Sequence, residues 1–167
     1  LTKVLATAPA ILILAEQGRL DLDAPVAKYI PAFTGHGREA VTLRHLLTHT
    51  SGLRPGISLR DKWNGAQAAI DLACRETLRQ QPGTKFTYSD INFILLGEIV
   101  RRVSGKPLNE FAKDQIFTPL KMRDTGFLPA TALTSRIAPT EAVAGKMLRG
   151  TVHDPTAHRM GGVAGHA

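Results

Sequence analysis

The sequence has little cysteine, few aromatic residues and no long apolar run, and these shortages exclude several classes of protein. Cys74 is the single cysteine among 167 residues, so no internal disulfide can form and neither an oxidising nor a reducing compartment is indicated. No uncharged apolar run reaches the roughly 18 residues that a membrane-spanning helix requires. Since 43% of the residues are hydrophobic and 21% are charged, a disordered or collagen-like chain is also excluded, and we expect a globular segment with a hydrophobic core.

Acidic residues are fewer than basic ones, which raises the question of a nucleic-acid partner. The 21 lysines and arginines outnumber the 14 acids and give a formal net charge of +7. Such an excess is typical of chains that bind nucleic acid or an anionic membrane. The bases are spread along the sequence, however, with Arg101 and Arg102 as the only adjacent pair, and no basic run alternates with aromatic residues. We therefore predict no nucleic-acid partner and assign the excess to the solvated surface.

The first helical segment is almost continuously apolar. Residues 4–15 (VLATAPAILILA) follow Lys3, and this order is also typical of a signal peptide. A clear small-residue cleavage site is missing after the apolar run, and a long patterned chain follows it. The segment therefore favours a buried central helix, with Gly18 as its C-cap and a bend at Pro9.

The rest of the sequence predicts more helices and few strands. Apolar residues at helical spacing mark these helices, which cover residues 43–47 with Thr42 as the N-cap, residues 66–80, residues 91–103 and a segment from Leu108 onward. Cys74 lies on the apolar face of the second of them and is expected to be buried. From Thr125 onward glycine, proline and threonine dominate, and the sequence pattern does not define regular elements there. A complete α/β domain would show several β-rich segments, which this sequence lacks.

Several short motifs in this order resemble one known family. They are residues 1–3 (LTK), 46–53 (LLTHTSGL), 82–86 (PGTKF), 88–90 (YSD), 92–97 (NFILLG), 151–155 (TVHDP) and 161–167 (GGVAGHA). The set resembles the serine β-lactamase-related family of class C β-lactamases, D-alanyl-D-alanine carboxypeptidases and esterases. The resemblance implies an α+β fold of the β-lactamase/DD-peptidase type, of which residues 1–167 form a partial domain that is mainly helical. The part that bears the nucleophile and the C-terminal part of the sheet are expected to lie outside it.

Residues 1–3 (LTK) match the last three positions of the family's first motif, S-x-x-K. The resemblance therefore implies that Lys3 is catalytic and that the nucleophilic serine directly precedes Leu1. A serine and a lysine three residues apart on a helix lie on one face, one turn apart. We expect burial against apolar neighbours to lower the pKa of Lys3, so that it acts as a base. The alternative is an ordinary solvated lysine.

The second motif of the family, Y-x-N, is matched with aspartate in the last position. The resemblance implies that Tyr88 exchanges a proton with the serine and then with the leaving group. A phenol with an ordinary pKa of about 10 needs Lys3 beside it to favour the phenolate, and a packed aromatic is the alternative. Asp90 is predicted either in the active site, where its carboxylate accepts but cannot donate a hydrogen bond, or as a helix N-cap.

The third motif of the family, K-T-G or H-x-G, is not assigned within the chain. His166 and Ala167 look like the start of H-x-G, but their place in the motif order predicts that the third motif lies beyond Ala167. The oxyanion hole is therefore left unassigned.

Two other sets of residues suggest chemistry without the full pattern for it. Ser51 has His49 nearby but lacks the G-x-S-x-G elbow, so we predict a turn residue and not a nucleophile. A metal cluster is suggested by His153, Asp154, His158 and His166. The set lacks the H-E-x-x-H pattern, and we expect hydrogen-bonded loop histidines instead, with no metal and no organic cofactor.

The resemblance implies a serine hydrolase that forms an acyl-enzyme with a small-molecule or peptide substrate. A β-lactam, a D-Ala-D-Ala peptide and a carboxylic ester stay open as substrates, as does the oligomeric state. The alternative is a non-catalytic relative that binds cell-wall peptides or acts as a sensor, and any residue but serine before Leu1 would favour it. We expect residues 1–167 alone to be inactive. Members of the family are often exported, which suggests the cell envelope or secretion.

Overall fold

The protein is built mainly from helices, and the two helices at its centre pack against each other. The computed structural model describes residues 1–60 and 62–167. Its helices are α1 (Ala8–Glu16), α2 (Leu43–Leu47), α3 (Ala66–Arg75), α4 (Asp90–Ser104), α5 (Leu108–Ala112) and α6 (Pro155–Arg159). Two π-helical turns, Lys3–Thr7 and Lys113–Phe117, precede α1 and follow α5, and short 3₁₀ turns cover Val26–Lys28, Arg38–Ala40 and Thr131–Arg136. The described residues contain one sheet, an antiparallel hairpin of β1 (Ala142–Val143) and β2 (Lys146–Met147).

The apolar N-terminal segment forms a helix of the hydrophobic core, as the sequence predicts. Helix α1 packs against α4 and α5, and Ala10, Ile11 and Leu14 on that face are fully buried. On its other face Leu12 is more than half exposed, as is Val4 in the π-helical turn before the helix. Among the described residues, no helix combines the length and apolarity needed to cross a membrane.

Proline and glycine mark the two ends of α1. Pro9 lies in the first turn of the helix, directly after the π-helical turn Lys3–Thr7. A proline has no N–H to donate, and an N–H in the first turn of a helix has no partner within the helix. The change from π-helical to α-helical hydrogen bonding is therefore easiest at this turn. Gly18 follows the last turn with a left-handed backbone (φ 70°) and donates to the carbonyl of Ala15. The predicted C-cap is displaced by one residue: α1 ends at Glu16 with Gln17 as the C-cap, and Gly18 is the left-handed residue that follows it.

Helix α3 is shorter than its apolar pattern predicts. The prediction of a helix over residues 66–80 is wrong after Arg75, because Glu76 adopts an extended backbone. The carbonyl of Glu76 accepts a hydrogen bond from Arg38, at 2.9 Å, and its carboxylate pairs with Arg54. Contacts with residues distant in the sequence therefore end α3 earlier than its apolar periodicity predicts.

Helix α4 is the packing centre of the fold and carries one close backbone crossing. Helices α1, α2, α3 and α5 all contact it, and most of its length is buried. The C-terminal loop crosses it at Gly165, where an added Cβ would lie 2.1 Å from the carbonyl oxygen of Phe93. Gly165 also has a left-handed backbone (φ 62°), so only glycine fits this position without strain. The crossing brings the last residues of the chain next to the start of α1.

Candidate active site

The side chain of Lys3 joins three parts of the chain that are distant in sequence. Lys3 lies in the π-helical turn before α1, and its side chain is only 14% exposed. Its ammonium donates to Asp90 Oδ1 at 2.7 Å and to the backbone carbonyl of His166 at 2.9 Å. The solvated-lysine alternative therefore does not describe this residue. A buried ammonium with two oxygen partners is a fixed positive charge at the centre of the site.

Tyr88 completes the group that the sequence predicts. It lies in the irregular segment before α4, and Lys3 Nζ is 4.9 Å from the centroid of its ring. The side chain is 52% exposed, so Tyr88 faces solvent as well as the buried ammonium. The structure therefore brings the three predicted residues, Lys3, Tyr88 and Asp90, into one group.

The charge state of Lys3 differs from the prediction made from sequence. Burial by itself lowers the pKa of Lys3, as expected, but the hydrogen bonds and charges of Asp90 and Tyr88 outweigh it. The pKa of Lys3 is therefore raised above 10.5, and the expectation of a lowered pKa is wrong. A carboxylate within hydrogen-bond distance opposes the effect of burial on the pKa of a lysine. The hydrogen bonds that Lys3 donates to Asp90 and to the carbonyl of His166 favour its protonated form.

Asp90 lies beside Lys3 and does not cap its helix. It is the first residue of α4, and the N-cap position before it belongs to Ser89. The backbone N–H of Asp90 donates to the carbonyl of Pro55 at 2.7 Å, which fixes the start of the helix. The Asp90 carboxylate is thus free to accept from Lys3, and the positive end of the α4 dipole favours its charge. Of the two alternatives for Asp90, the geometry supports the one beside Lys3.

A second acidic group lies behind this pair, in the C-terminal loop. His166 Nε2 donates to Asp154 Oδ1 at 2.9 Å, and Asp154 also accepts from the backbone N–H of Ala157 at the start of α6. Burial raises the pKa of Asp154, but these hydrogen bonds outweigh it and hold that pKa below its usual value. Of the four residues considered for a metal cluster, the structure brings Asp154 and His166 together.

Three side chains in this region have the donor types for a metal ion. In the described part of the chain, ligand atoms of Asp90, Asp154 and His166 lie within 4.8 Å of one another. Each already has a partner, since Asp90 accepts from Lys3 and Asp154 accepts from His166. The Lys3 ammonium supplies to Asp90 the positive charge that a metal ion would bring. The arrangement favours a side-chain network over a metal centre.

His49 belongs to the site, although the sequence analysis considered it only as a neighbour of Ser51. Its ring stacks on Tyr88 with centroids 4.5 Å apart, and its Nδ1 accepts from the N–H of Ser89 at 3.1 Å. Burial, and then the charge of Lys3, lower the pKa of His49. Ser51 is 1% exposed and donates to Asn92 Oδ1 at 2.7 Å, so the structure gives it a supporting role in the core. The position of His49 in the motif at residues 46–53 was the signal that could have identified it.

Substitution of Asp90 tests which contacts determine the pKa of Lys3. Replacing Asp90 by asparagine is expected to lower the pKa of Lys3, because burial then acts without the opposing carboxylate. A raised folded-state pKa stabilises the fold fully below 10.5 and loses that contribution as the pH rises through the folded value. The variant should therefore be less stable than the wild type at neutral pH. NMR titration of the Lys3 Cε resonance, with thermal unfolding, measures both effects.

A matched control for this test is Asp114→Asn. Asp114 pairs with Lys106 at the same distance of 2.7 Å, but on the surface. Its loss should leave the Lys3 titration unchanged and alter stability little, because exposed ion pairs contribute little. A Lys3 pKa that stays the same or rises in the Asp90→Asn variant would show that Asp90 does not control it.

The chain is similar to several known proteins. The family model described as Beta-lactamase matches residues 1–167. The chain is 32% identical over 195 residues to a protein of Escherichia coli (strain K12) named as a D-alanyl-D-alanine carboxypeptidase, covering 99% of this chain and 45% of that protein. It is also 32% identical over 201 residues to the N-acetylmuramyl-L-alanine amidase of Bacillus subtilis (strain 168), covering 99% of this chain and 44% of that protein. The chain thus spans less than half the length of these relatives.

A solved structure matches the fold over nearly the whole chain. FmtA from Staphylococcus aureus superposes with a TM-score of 0.78 at 23% sequence identity. The match covers 99% of this chain and 46% of FmtA. At that identity the likeness shows a shared fold and does not assign an activity.

Proposed function

Since the chain belongs to the beta-lactamase family, as the match over residues 1–167 shows, we propose that the whole protein is a serine hydrolase that works through an acyl-enzyme. The family membership confirms the resemblance predicted from sequence and the α+β fold of β-lactamases and DD-peptidases, of which this chain is a helix-rich segment. The single observation that carries the proposal is the buried Lys3 ammonium, held by Asp90 and facing the ring of Tyr88.

The proposed reaction transfers an acyl group from an ester or amide to a serine that precedes Leu1. That serine would lie one helical turn before Lys3, on the same face. Its oxygen forms a bond to the carbonyl carbon while its proton passes to Tyr88. The bond to the leaving group then breaks, and Tyr88 returns the proton to the departing oxygen or nitrogen. Water then adds to the carbonyl carbon of the acyl-enzyme while Tyr88 takes its proton. The bond to the serine oxygen breaks, Tyr88 returns the proton to that oxygen, and the carboxylic acid leaves.

The contacts of Lys3 support a division of this work between the two side chains, since its ammonium donates to Asp90 and to the carbonyl of His166. A lysine that keeps its proton is a poor base, but its charge stabilises negative charge that develops beside it during proton transfer. We therefore assign the proton transfers to Tyr88 and the electrostatic support to Lys3, with Asp90 holding Lys3 in place. The mechanism uses no metal or organic cofactor. The oxyanion hole and the third motif are not assigned to any residue of this chain.

Covalent labelling of the whole protein tests this function. A penicillin or a fluorophosphonate is expected to add one acyl or phosphonyl group, and peptide mapping by mass spectrometry should place it on the residue preceding Leu1. The 167-residue chain serves as the negative control and should stay unlabelled. Names of the relatives point to amide bonds of cell-wall peptides, so a D-alanyl-D-alanine peptide leads the panel of substrates, followed by a β-lactam and a nitrophenyl ester.

Two outcomes would contradict the proposal. A label on any other residue would remove the assigned nucleophile. Reversible binding of cell-wall peptides, with no covalent adduct from any probe, would favour the non-catalytic relative instead. The second outcome has a physical reason. The family motif has an asparagine where this chain has Asp90, and a carboxylate cannot donate a hydrogen bond to a substrate carbonyl as an amide can.

A further inference from the structure

One residue, His49, bonds to the chain on both sides of Tyr88. The carbonyl of His49 accepts from the backbone N–H of Thr87 at 2.8 Å, and its ring Nδ1 accepts from the N–H of Ser89 at 3.1 Å. His49 itself has a left-handed backbone, with φ at 57°, which is uncommon outside glycine and is maintained by the surrounding fold. The segment that presents Tyr88 is thus fixed at the two residues that flank it.

The ring of His49 also fixes the ring of Tyr88. The two rings are tilted by 32° with centroids 4.5 Å apart, and Phe93 lies 5.2 Å from His49 on the core side. His49 is 9% exposed, whereas Tyr88 is 52% exposed. A half-exposed tyrosine has few contacts of its own to hold one rotamer, so a buried ring stacked against it restricts its motion.

The hydrogen bonds of His49 define its protonation. Because Nδ1 accepts from the Ser89 N–H, it carries no proton, and the neutral ring has its proton on Nε2. Three charged or titratable groups face this region: Lys3 and Asp90 across the site, and Tyr88 against the ring. The ring is buried beside the Lys3 ammonium, an environment that favours the neutral form.

We infer that His49 is a positioning residue that holds the segment and the ring of Tyr88 beside Lys3. The inference rests on the proposed function, because the position of Tyr88 matters for catalysis only if its phenol transfers protons. His49 acts on the reaction through Tyr88 and does not touch the reacting atoms. A displacement of about 1 Å in a group of this kind costs about 10²-fold in rate.

Fluorine NMR of the whole protein tests the contact without requiring catalysis. Residues 1–167 hold two tyrosines, Tyr29 and Tyr88, and after labelling with 3-fluorotyrosine the variants Tyr29→Phe and Tyr88→Phe assign their resonances. In the His49→Ala variant, we expect the Tyr88 resonance to shift and narrow toward that of a free tyrosine, while the Tyr29 resonance reports an intact fold. His49→Asn keeps an acceptor near the Nδ1 position and tolerates a left-handed backbone. It should shift the Tyr88 resonance, because the ring contact is lost, with less narrowing than His49→Ala.

The acylation rate of the whole protein provides the second measurement. His49→Ala is expected to lower it by about 10²-fold, and His49→Asn should recover part of that loss. A Tyr88 resonance that stays at its wild-type position in both variants would overturn the inference. Equal collapse of both tyrosine resonances in both variants would also overturn it, since His49 would then support the whole fold. A shifted Tyr88 resonance in a chain whose whole protein never acylates would count against the proposed function alone.

Discussion

Replacing Lys3 by alanine in the whole protein is expected to lower the acylation rate by about 10³-fold or more. The variant removes the positive charge 4.9 Å from the centroid of the Tyr88 ring, and in the proposed mechanism that charge assists proton transfer at Tyr88. It also leaves the Asp90 carboxylate without its partner at 2.7 Å, which adds a repulsive negative charge to the site. The rate of covalent labelling by a fluorophosphonate, measured over a range of probe concentrations, gives this loss directly.

Lys106→Ala is the matched control for this variant. It also removes a lysine that is paired with an aspartate at 2.7 Å, but Lys106 lies on the surface and far along the chain from the site. Its labelling rate should equal that of the wild type, because a surface ion pair contributes little. Labelling of Lys3→Ala at a near-normal rate would refute the role assigned to Lys3.

Replacing Tyr88 by phenylalanine should lower the acylation rate by about 10²- to 10⁴-fold while the fold stays intact. The substitution removes only the phenol oxygen, so the ring can still stack on His49 and face Lys3. Since the Tyr88 side chain is 52% exposed, the loss of its hydroxyl should change the free energy of unfolding little. A large loss of rate with an unchanged melting temperature would separate chemistry from stability.

The same change at the other tyrosine provides the comparison. Tyr29→Phe removes a phenol oxygen that accepts from the N–H of Asp21 at 2.9 Å, outside the site. We expect full labelling in that variant. If Tyr88→Phe labels as fast as Tyr29→Phe, Tyr88 is not the proton-transfer group and the mechanism must use another base.

Much of the helical framework was predictable from sequence because its causes are local. The apolar spacing in residues 91–103 requires neighbours only three or four positions away, and α4 extends just one residue beyond it at each end. Thr42 caps α2 as predicted, with His45 completing the capping box. Helix α3 shows the limit of this approach, because Arg38 and Arg54 hold Glu76 in an extended conformation that no local pattern reports.

The site divides in the same way between sequence and tertiary structure. The sequence by itself determined that Lys3, Tyr88 and Asp90 are its candidate residues, because their types and spacing match motifs that can be identified without coordinates. Only the tertiary structure decided the charge of Lys3, the choice of Asp90 between cap and partner, and the place of His49 behind Tyr88. Each of these depends on contacts between residues dozens of positions apart, where burial and charge oppose each other and distance sets which effect is larger.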